Sequence, residues 1–250
     1  MTRFQIITIL ALPLAALALG FGNLALLIGV LVAFGLIIGL GVTLPQLSLF
    51  GPYVCRGNPA GRCVALTFDD GPDGRSTPAL LELLRAEGVA AAFFCIGERV
   101  AANHELAARI VREGHLLENH SYAHSNATNL FTVARLKAEL TRTQAAIQQS
   151  TGMAPQYFRP PMGLSNPRVF RCARALGLQV IGWSARGLDT QSHDPERIVA
   201  RIVRQLDSGA IILLHDGNIP AERLVVTVKL LLAKLKERRY EIVRLDKMLK

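Results

Sequence analysis

Two aspartates stand side by side at Asp69-Asp70, followed by Gly71-Pro72. Like charges in contact do not both stay ionised cheaply unless a cation or a guanidinium neutralises one of them. The pair therefore asks for a metal, an arginine, or both. Fifty residues on, His120 and His124 are four positions apart, a spacing at which two imidazoles share one face of a helical turn and can meet one ion. Taken alone, each feature is ordinary: Asp, Gly and Pro form turns, and a lone His-x-x-x-His is more often structural. Together, Asp70, His120 and His124 make a two-histidine, one-carboxylate set that leaves coordination positions open, as catalytic sites do. Zinc is the default ion for such donors, and iron(II), cobalt, nickel and manganese also suit them.

Val64 to Phe68, just before the aspartates, reads as a buried parallel strand. From Cys63 onward strand-like and helix-like patterns alternate. The strand candidates are residues 63–68, 90–96, 115–118, 156–159, 178–184, 210–215 and 240–245. Helical patterns fall at 77–87, 98–113, 132–150, 166–176, 195–207 and 221–239. Gly88, Gly114, Gly152 and Gly177 sit where helices should end. Seven strands separated by six helices mean parallel βα units, with a sheet covered on both faces. That is one unit short of an eight-fold barrel, and no Gly-x-Gly-x-x-Gly turn follows the first strand. An α/β fold results: an incomplete, seven-stranded TIM-like β/α barrel.

In such a fold the chemistry belongs at the C-terminal ends of the strands, and the polar residues gather there. Strand one ends in Asp69-Asp70 and strand three runs into His120 and His124. Strand four ends in Arg159-Pro160-Pro161-Met162-Gly163, strand five precedes Asp189, and strand six ends in Leu213-Leu214-His215-Asp216.

Residues 1–49 are of different material. No charged side chain lies between Phe4 and Phe50, a run that as one helix would reach about 70 Å, roughly twice a bilayer's hydrocarbon core. Gly20-Phe21-Gly22-Asn23 splits it, so residues 1–49 read as a membrane anchor of two transmembrane helices in a hairpin, and 50–62 as a linker to a domain at 63–250. A cleaved signal peptide fits less well, with Arg3 the only basic residue at the start. Residues 50–250 hold all but one of the 28 basic side chains and all 19 acidic ones, a net charge of +8. A basic domain tethered to lipid suits anionic head groups or envelope polymers. Nucleic acid is not expected, since the basic run Lys234 to Arg239 looks like the wet face of a helix. Cys55 and Cys63 could close a small disulfide loop, whereas Cys95 and Cys172 fall in apolar patterns and read as buried thiols. His104, His115 and His193 read as surface or packing residues.

Five separated segments resemble, in type and order, the motifs of the polysaccharide deacetylase family, the NodB-homology or carbohydrate esterase family 4 domain. They are Thr67 to Pro72, His120 to His124, Arg159 to Gly163, Trp183 to Asp189 and Leu213 to His215, and the match covers about residues 63–245. The resemblance implies that Asp69 is the general base and that Asp70, His120 and His124 hold the metal. It implies further that Arg159 pairs with Asp69, that His215 is the general acid held protonated by Asp189, and that the Met162 backbone N–H helps bind the oxyanion. Trp183 and Leu213 then belong to the substrate pocket, although Trp183 could equally fill the barrel interior. The activity implied is hydrolysis of an N-acetyl group from an amino sugar of an envelope polysaccharide, peptidoglycan or lipid-linked glycan, at the plasma (inner) membrane with the domain periplasmic or extracellular. An O-acetyl esterase or a silent glycan-binding protein on the same fold are the alternatives.

Amide hydrolysis needs a nucleophilic water, a sink for charge on the carbonyl oxygen and a proton for the leaving amine. Met162 and Thr190 stand where the family usually has aromatic residues, which alters the pocket walls rather than the metal or the base. Ser121 has no Gly-x-Ser-x-Gly elbow around it.

Overall fold

The computed structural model describes residues 1–58 and 61–250. Two apolar helices come first, α1 (Arg3–Gly20) and α2 (Leu24–Thr43), packed against each other as a hairpin. Thr2 and Gln5 cap α1 reciprocally, and the Asn23 side chain accepts from Leu26 N at 3.0 Å to start α2. With 18 and 20 residues, each is long and apolar enough to cross a bilayer.

The sheet is built around β1 (Cys63–Asp69). On one side follow β2 (Ala92–Cys95), β3 (Leu116–Asn119), β4 (Tyr157–Phe158) and β5 (Gln179–Val180). On the other, β7 (Ala210–His215) lies next to β1 and β6 (Ala185–Arg186) beyond it, while β8 (Glu241–Ile242) pairs with the start of β1. These strands all pair in parallel. The stretch expected as strand five, residues 178–184, holds β5 and runs directly into β6: Ile181 N donates to Phe158 O at 2.9 Å, and Ser184 N to Ile211 O at 3.1 Å. One run of chain thus leaves β4 and arrives at β7, curling the sheet into the expected incomplete barrel.

Around it lie α3 (Thr77–Ala86), α4 (Gly97–Ala102), α5 (His104–Arg112), α6 (Val133–Thr151), α7 (Pro167–Ala175), α8 (Pro195–Arg204) and α9 (Ala221–Glu237), with the short α10 (Leu245–Met248) at the end. The stretch 98–113, expected as one helix, is two. The chain breaks at Asn103, which leaves helical backbone at φ −135° while its side chain donates to Arg99 O. Strand alternation decides what faces the site. Val64, Leu66 and Phe68 of β1 and Ala210, Ile212 and Leu214 of β7 pack under the helices. Ala65 and Ile211 pack in a second cluster with Phe94, Ile181 and the α10 residues Leu245 and Met248. By the period of two, Thr67, Asp69, Leu213 and His215 share that inner face.

The hairpin is fastened to the domain. Phe4 N donates to Leu49 O at 2.9 Å, Ser165 N to Val42 O at 3.2 Å, and Gln46 Nε2 to Trp183 O at 3.2 Å. Leu49, Phe50 and Tyr53 are buried with Leu136, Phe158 and Phe170, and the Phe4 and Phe50 rings meet at 5.4 Å between centroids, tilted by 58°. The segment after them is no loose tether: Val54 N donates to Val180 O, Gly182 N to Val54 O, and Gly57 N to Gly209 O. This packing gives separate surroundings to the two cysteines that could have closed a small loop. Cys55 lies against Gly182, Cys63 faces the Glu241 carboxylate, and both thiols are free. Cys95 and Cys172 are buried as expected.

Candidate active site

Asp69 and His215 are partners in the β1–β7 register and end their strands together. Strand geometry alone would turn Asp70 to the opposite face, but its backbone flips into the left-handed region at φ 71° and brings the second carboxylate back to the mouth. The same device recurs around the rim at Ser121, His124, Met162, Leu188 and Asn218, whose φ values lie between 47° and 63°. Backbone strain concentrated at one end of a barrel is what a positioned site costs.

Arg159, fully buried, donates from Nη1 to Asp69 Oδ1 at 2.6 Å and to Thr67 Oγ1 at 2.9 Å, and from Nη2 to Gly182 O at 2.8 Å. Its guanidinium lies 4.1 Å over the Phe94 ring. His120 donates from Nδ1 to Arg159 O at 2.7 Å, because a carbonyl can only accept, and this turns its Nε2 towards the aspartates. That Nε2 is 3.4 Å from Asp70 Oδ1, and His124 Nε2 is 3.2 Å from the same oxygen. Asp70 Oδ1 is buried and has no hydrogen-bond partner among the described residues. Two imidazole nitrogens converging on an orphaned buried carboxylate oxygen fit a cation, and the three donor atoms lie within 4.8 Å of one another. His120 and His124 do not share a helical turn, as their spacing suggested. The chain from 120 to 124 is an irregular loop, held by Glu139, which accepts from Tyr122 N and Ala123 N.

On the opposite wall Asp189 accepts from His215 N at 2.8 Å, and its other oxygen lies 3.1 Å from His215 Nδ1. Burial disfavours the imidazolium, but the Asp189 carboxylate outweighs it, with smaller contributions from Asp69 and Asp70, and lifts the histidine to about 9. Burial likewise opposes ionisation of Asp70, yet His120, His124 and His215 hold it well below the usual carboxylate range.

The polysaccharide deacetylase family profile matches residues 56–181. A peptidoglycan-N-acetylglucosamine deacetylase from Bacillus cereus is 35% identical over 191 residues, 76% of this chain and 89% of the relative. The chain belongs to the polysaccharide deacetylase family. The peptidoglycan-N-acetylglucosamine deacetylase PgdA of Listeria monocytogenes is 34% identical over 185 residues, 74% of this chain but 38% of that longer relative. Among solved structures, a CE4 family pseudoenzyme from Bacillus anthracis is similar with a TM-score of 0.74 at 27% identity, covering 80% of this chain and 69% of that one.

The deacetylase cleft has a volume of about 370 Å³ and brings together Asp69, Asp70, His120, His124, Asp189 and His215 with Met162, Trp183 and Leu213 on its walls. Arg159 lies behind them, reaching the cleft through Asp69. Trp183 is a wall of this pocket, its ring against Gly163. A β-carbon on Gly163 would lie 2.1 Å from Cη2 of the indole. Met162 is half exposed at the rim, and among the described residues its N–H makes no backbone hydrogen bond, whereas Gly163 N and Leu164 N are both used in the turn.

The sequence places Asp216 at the end of a strand, but without a role. Its side chain, fully buried, accepts from Thr77 Oγ1 and packs against Gly71, where a β-carbon would sit 2.4 Å from the carboxylate. Its backbone N–H donates to Asp69 O at 3.1 Å, so it wedges the turn that carries both aspartates. Burial raises its carboxyl to about 7. The signal was an aspartate immediately after His215, but nothing in its spacing said that it points under the turn. His115, expected to be a packing residue, is buried and accepts from Ala91 N.

Proposed function

We propose that the chain is a metal-dependent N-deacetylase acting on amino sugars of an envelope glycan, held at the plasma membrane by residues 1–49 with the domain of residues 63–250 outside. The observation that carries the reading is the division of labour between adjacent carboxylates: Asp70 converges with His120 and His124, while Asp69 is bound to Arg159 beside them.

Asp70, His120 and His124 would hold the ion, which when bound supplies positive charge that polarises a carbonyl and lowers the pKa of water. Zinc suits these donors best, with cobalt, nickel or manganese as substitutes. Asp69, kept in place by Arg159, takes the proton of the attacking water at its free oxygen. The Met162 N–H donates to the carbonyl oxygen as charge gathers there. His215, protonated through Asp189, hands its proton to the departing nitrogen. Trp183 and Leu213 hold the sugar and its acetyl group between them, closing the site to bulk water.

The Bacillus and Listeria relatives point to N-acetylglucosamine in peptidoglycan as the first substrate to try. A silent scaffold is disfavoured because a binding role needs neither the Asp69–Arg159 pair nor the Asp189–His215 pair. The seat of the hairpin against Ser165 and Trp183 supports a cleft held near the bilayer, within reach of membrane-borne glycan. The test is acetate release by the full chain in nonionic detergent from N-acetylated and O-acetylated glycans, before and after chelation. Release from the N-acetylated set that chelation abolishes and zinc restores is expected. Activity indifferent to chelation would overturn the metal-dependent reading.

A further inference from the structure

The hollow at the mouth does not stop at the catalytic groups. A second recess of about 230 Å³ opens from the same loop, sharing Leu188 and Gln191 with the catalytic cleft and walled by Ser192, Arg197 and Arg201. Arg197 and Arg201 stand four residues apart on α8, a spacing at which like charges repel unless something negative lies between them. Among the described residues, no carboxylate comes within ion-pair distance of either guanidinium. Asp194, three residues before Arg197, spends its carboxylate on capping the helix, accepting from Glu196 N at 2.9 Å and Arg197 N at 3.3 Å, and Glu196 beside it makes no ion pair among the described residues.

A third arginine stands at the junction. Arg186 lines the catalytic cleft with its guanidinium 5.7 Å from the centre of the Trp183 ring, and it too lacks a carboxylate partner among the described residues. Gln205 fixes the distance between the two groups, donating from Nε2 to Arg186 O at 2.9 Å and to Arg201 O at 2.7 Å. The wall from Trp183 to α8 is therefore tied together and carries three uncompensated guanidinium groups. Such planar forks match the oxygens of phosphate and carboxylate.

We propose that this recess is a subsite for an anionic substituent of the glycan: while one acetamido sugar occupies the catalytic cleft, a phosphate or carboxylate on the adjoining part of the same molecule rests on Arg197 and Arg201, with Arg186 between the two positions. The inference rests on the deacetylase reading of the cleft and adds the charge of the substrate to it. The shared chemistry is an oxyanion, and the source is a sugar phosphate or an acidic sugar.

The experiment uses the full chain in nonionic detergent with three probes: a neutral N-acetylglucosamine trisaccharide, the same trisaccharide carrying a terminal phosphate, and one carrying a terminal carboxylate. KM and kcat for acetate release are measured together with calorimetric Kd values. The wild type should favour at least one anionic probe over the neutral one by about ten-fold in KM and Kd, the size expected for charge-assisted hydrogen bonds. The double variant Arg197→Ala/Arg201→Ala should abolish that preference while leaving kcat and the neutral trisaccharide's KM within about two-fold of the wild type. Arg204→Ala, one turn further along α8, should change neither and so controls for the charge of the whole domain. Which anion is preferred identifies the source. Equal affinity for all three probes, or a preference that survives in the double variant, overturns the subsite. Absence of acetate release from every probe would instead sink the deacetylase reading, and the Kd values would still decide the subsite.

Discussion

Arg159 and Asp69 meet at 2.6 Å inside the curled sheet, the guanidinium without any exposed surface and the carboxylate almost without. A buried pair of this kind is held by its geometry. Three of the four remaining N–H groups of Arg159 have acceptors in Thr67, Ile181 and Gly182, and one Asp69 oxygen is left facing the cleft. Asp69→Asn should keep the fold and the metal content and lower kcat by roughly 10² to 10⁴, the usual worth of a general base. Arg159→Met should do more, since a stranded buried carboxylate costs about 3 to 5 kcal/mol of stability. Near-normal turnover in Asp69→Asn would remove Asp69 from the role of base.

His120→Ala should lose the ion itself. Its Nδ1 is fixed by Arg159 O, so its Nε2 is one of three donors in a preorganised set, and two donors cannot hold a divalent ion as three can. Elemental analysis of the purified variant checks this directly. Zinc at full occupancy would mean that the ligands lie elsewhere.

The Asp189–His215 contact makes a pH prediction. A histidine lifted to about 9 stays protonated through neutral pH, so a step that needs its proton weakens only as pH rises past that value. The Asp189 contribution is the largest of those raising it. Asp189→Asn should therefore move the alkaline limb of kcat down towards the ordinary histidine value of about 6.5. Stability follows the same sign. Because the folded value is the higher one, the contribution is complete below about 6.5 and is lost as pH climbs through about 9. An alkaline limb unmoved in Asp189→Asn would show that His215 is not the proton donor.

Much of this site was legible because each polar cluster followed a strand, and parallel βα units send every strand end to one mouth. Asp69, His120, Arg159 and His215 could be placed by that rule alone. The rule could not show how Asp70 reaches the same side as its neighbour, since that depends on a left-handed backbone, nor that His120 and His124 meet across a loop instead of a helical turn. The role of Asp216 stayed hidden because a buried acid under a turn looks, in sequence, like any surface aspartate. Residues 50–58 read as a linker for want of periodicity. Their order comes from tertiary partners such as Phe170, Val180 and Gly209, which no local pattern announces.

Gly163 tests how tightly the pocket wall is specified. It sits at φ 68°, where any side chain is strained, and an alanine methyl there would also run into the Trp183 ring at 2.1 Å. The ring cannot simply step aside, for it is buried between Gly163 and the guanidinium of Arg186. The two penalties separate in a double-mutant cycle. Gly163→Ala should lower kcat/KM by more than about ten-fold, about 1 kcal/mol of it from the backbone and the rest from the displaced indole. Trp183→Ala removes the obstacle, so Gly163→Ala introduced on that background should cost only the backbone part. A full-sized effect of Gly163→Ala with and without the indole would mean that the wall is set by the turn and that Trp183 merely lies beside it.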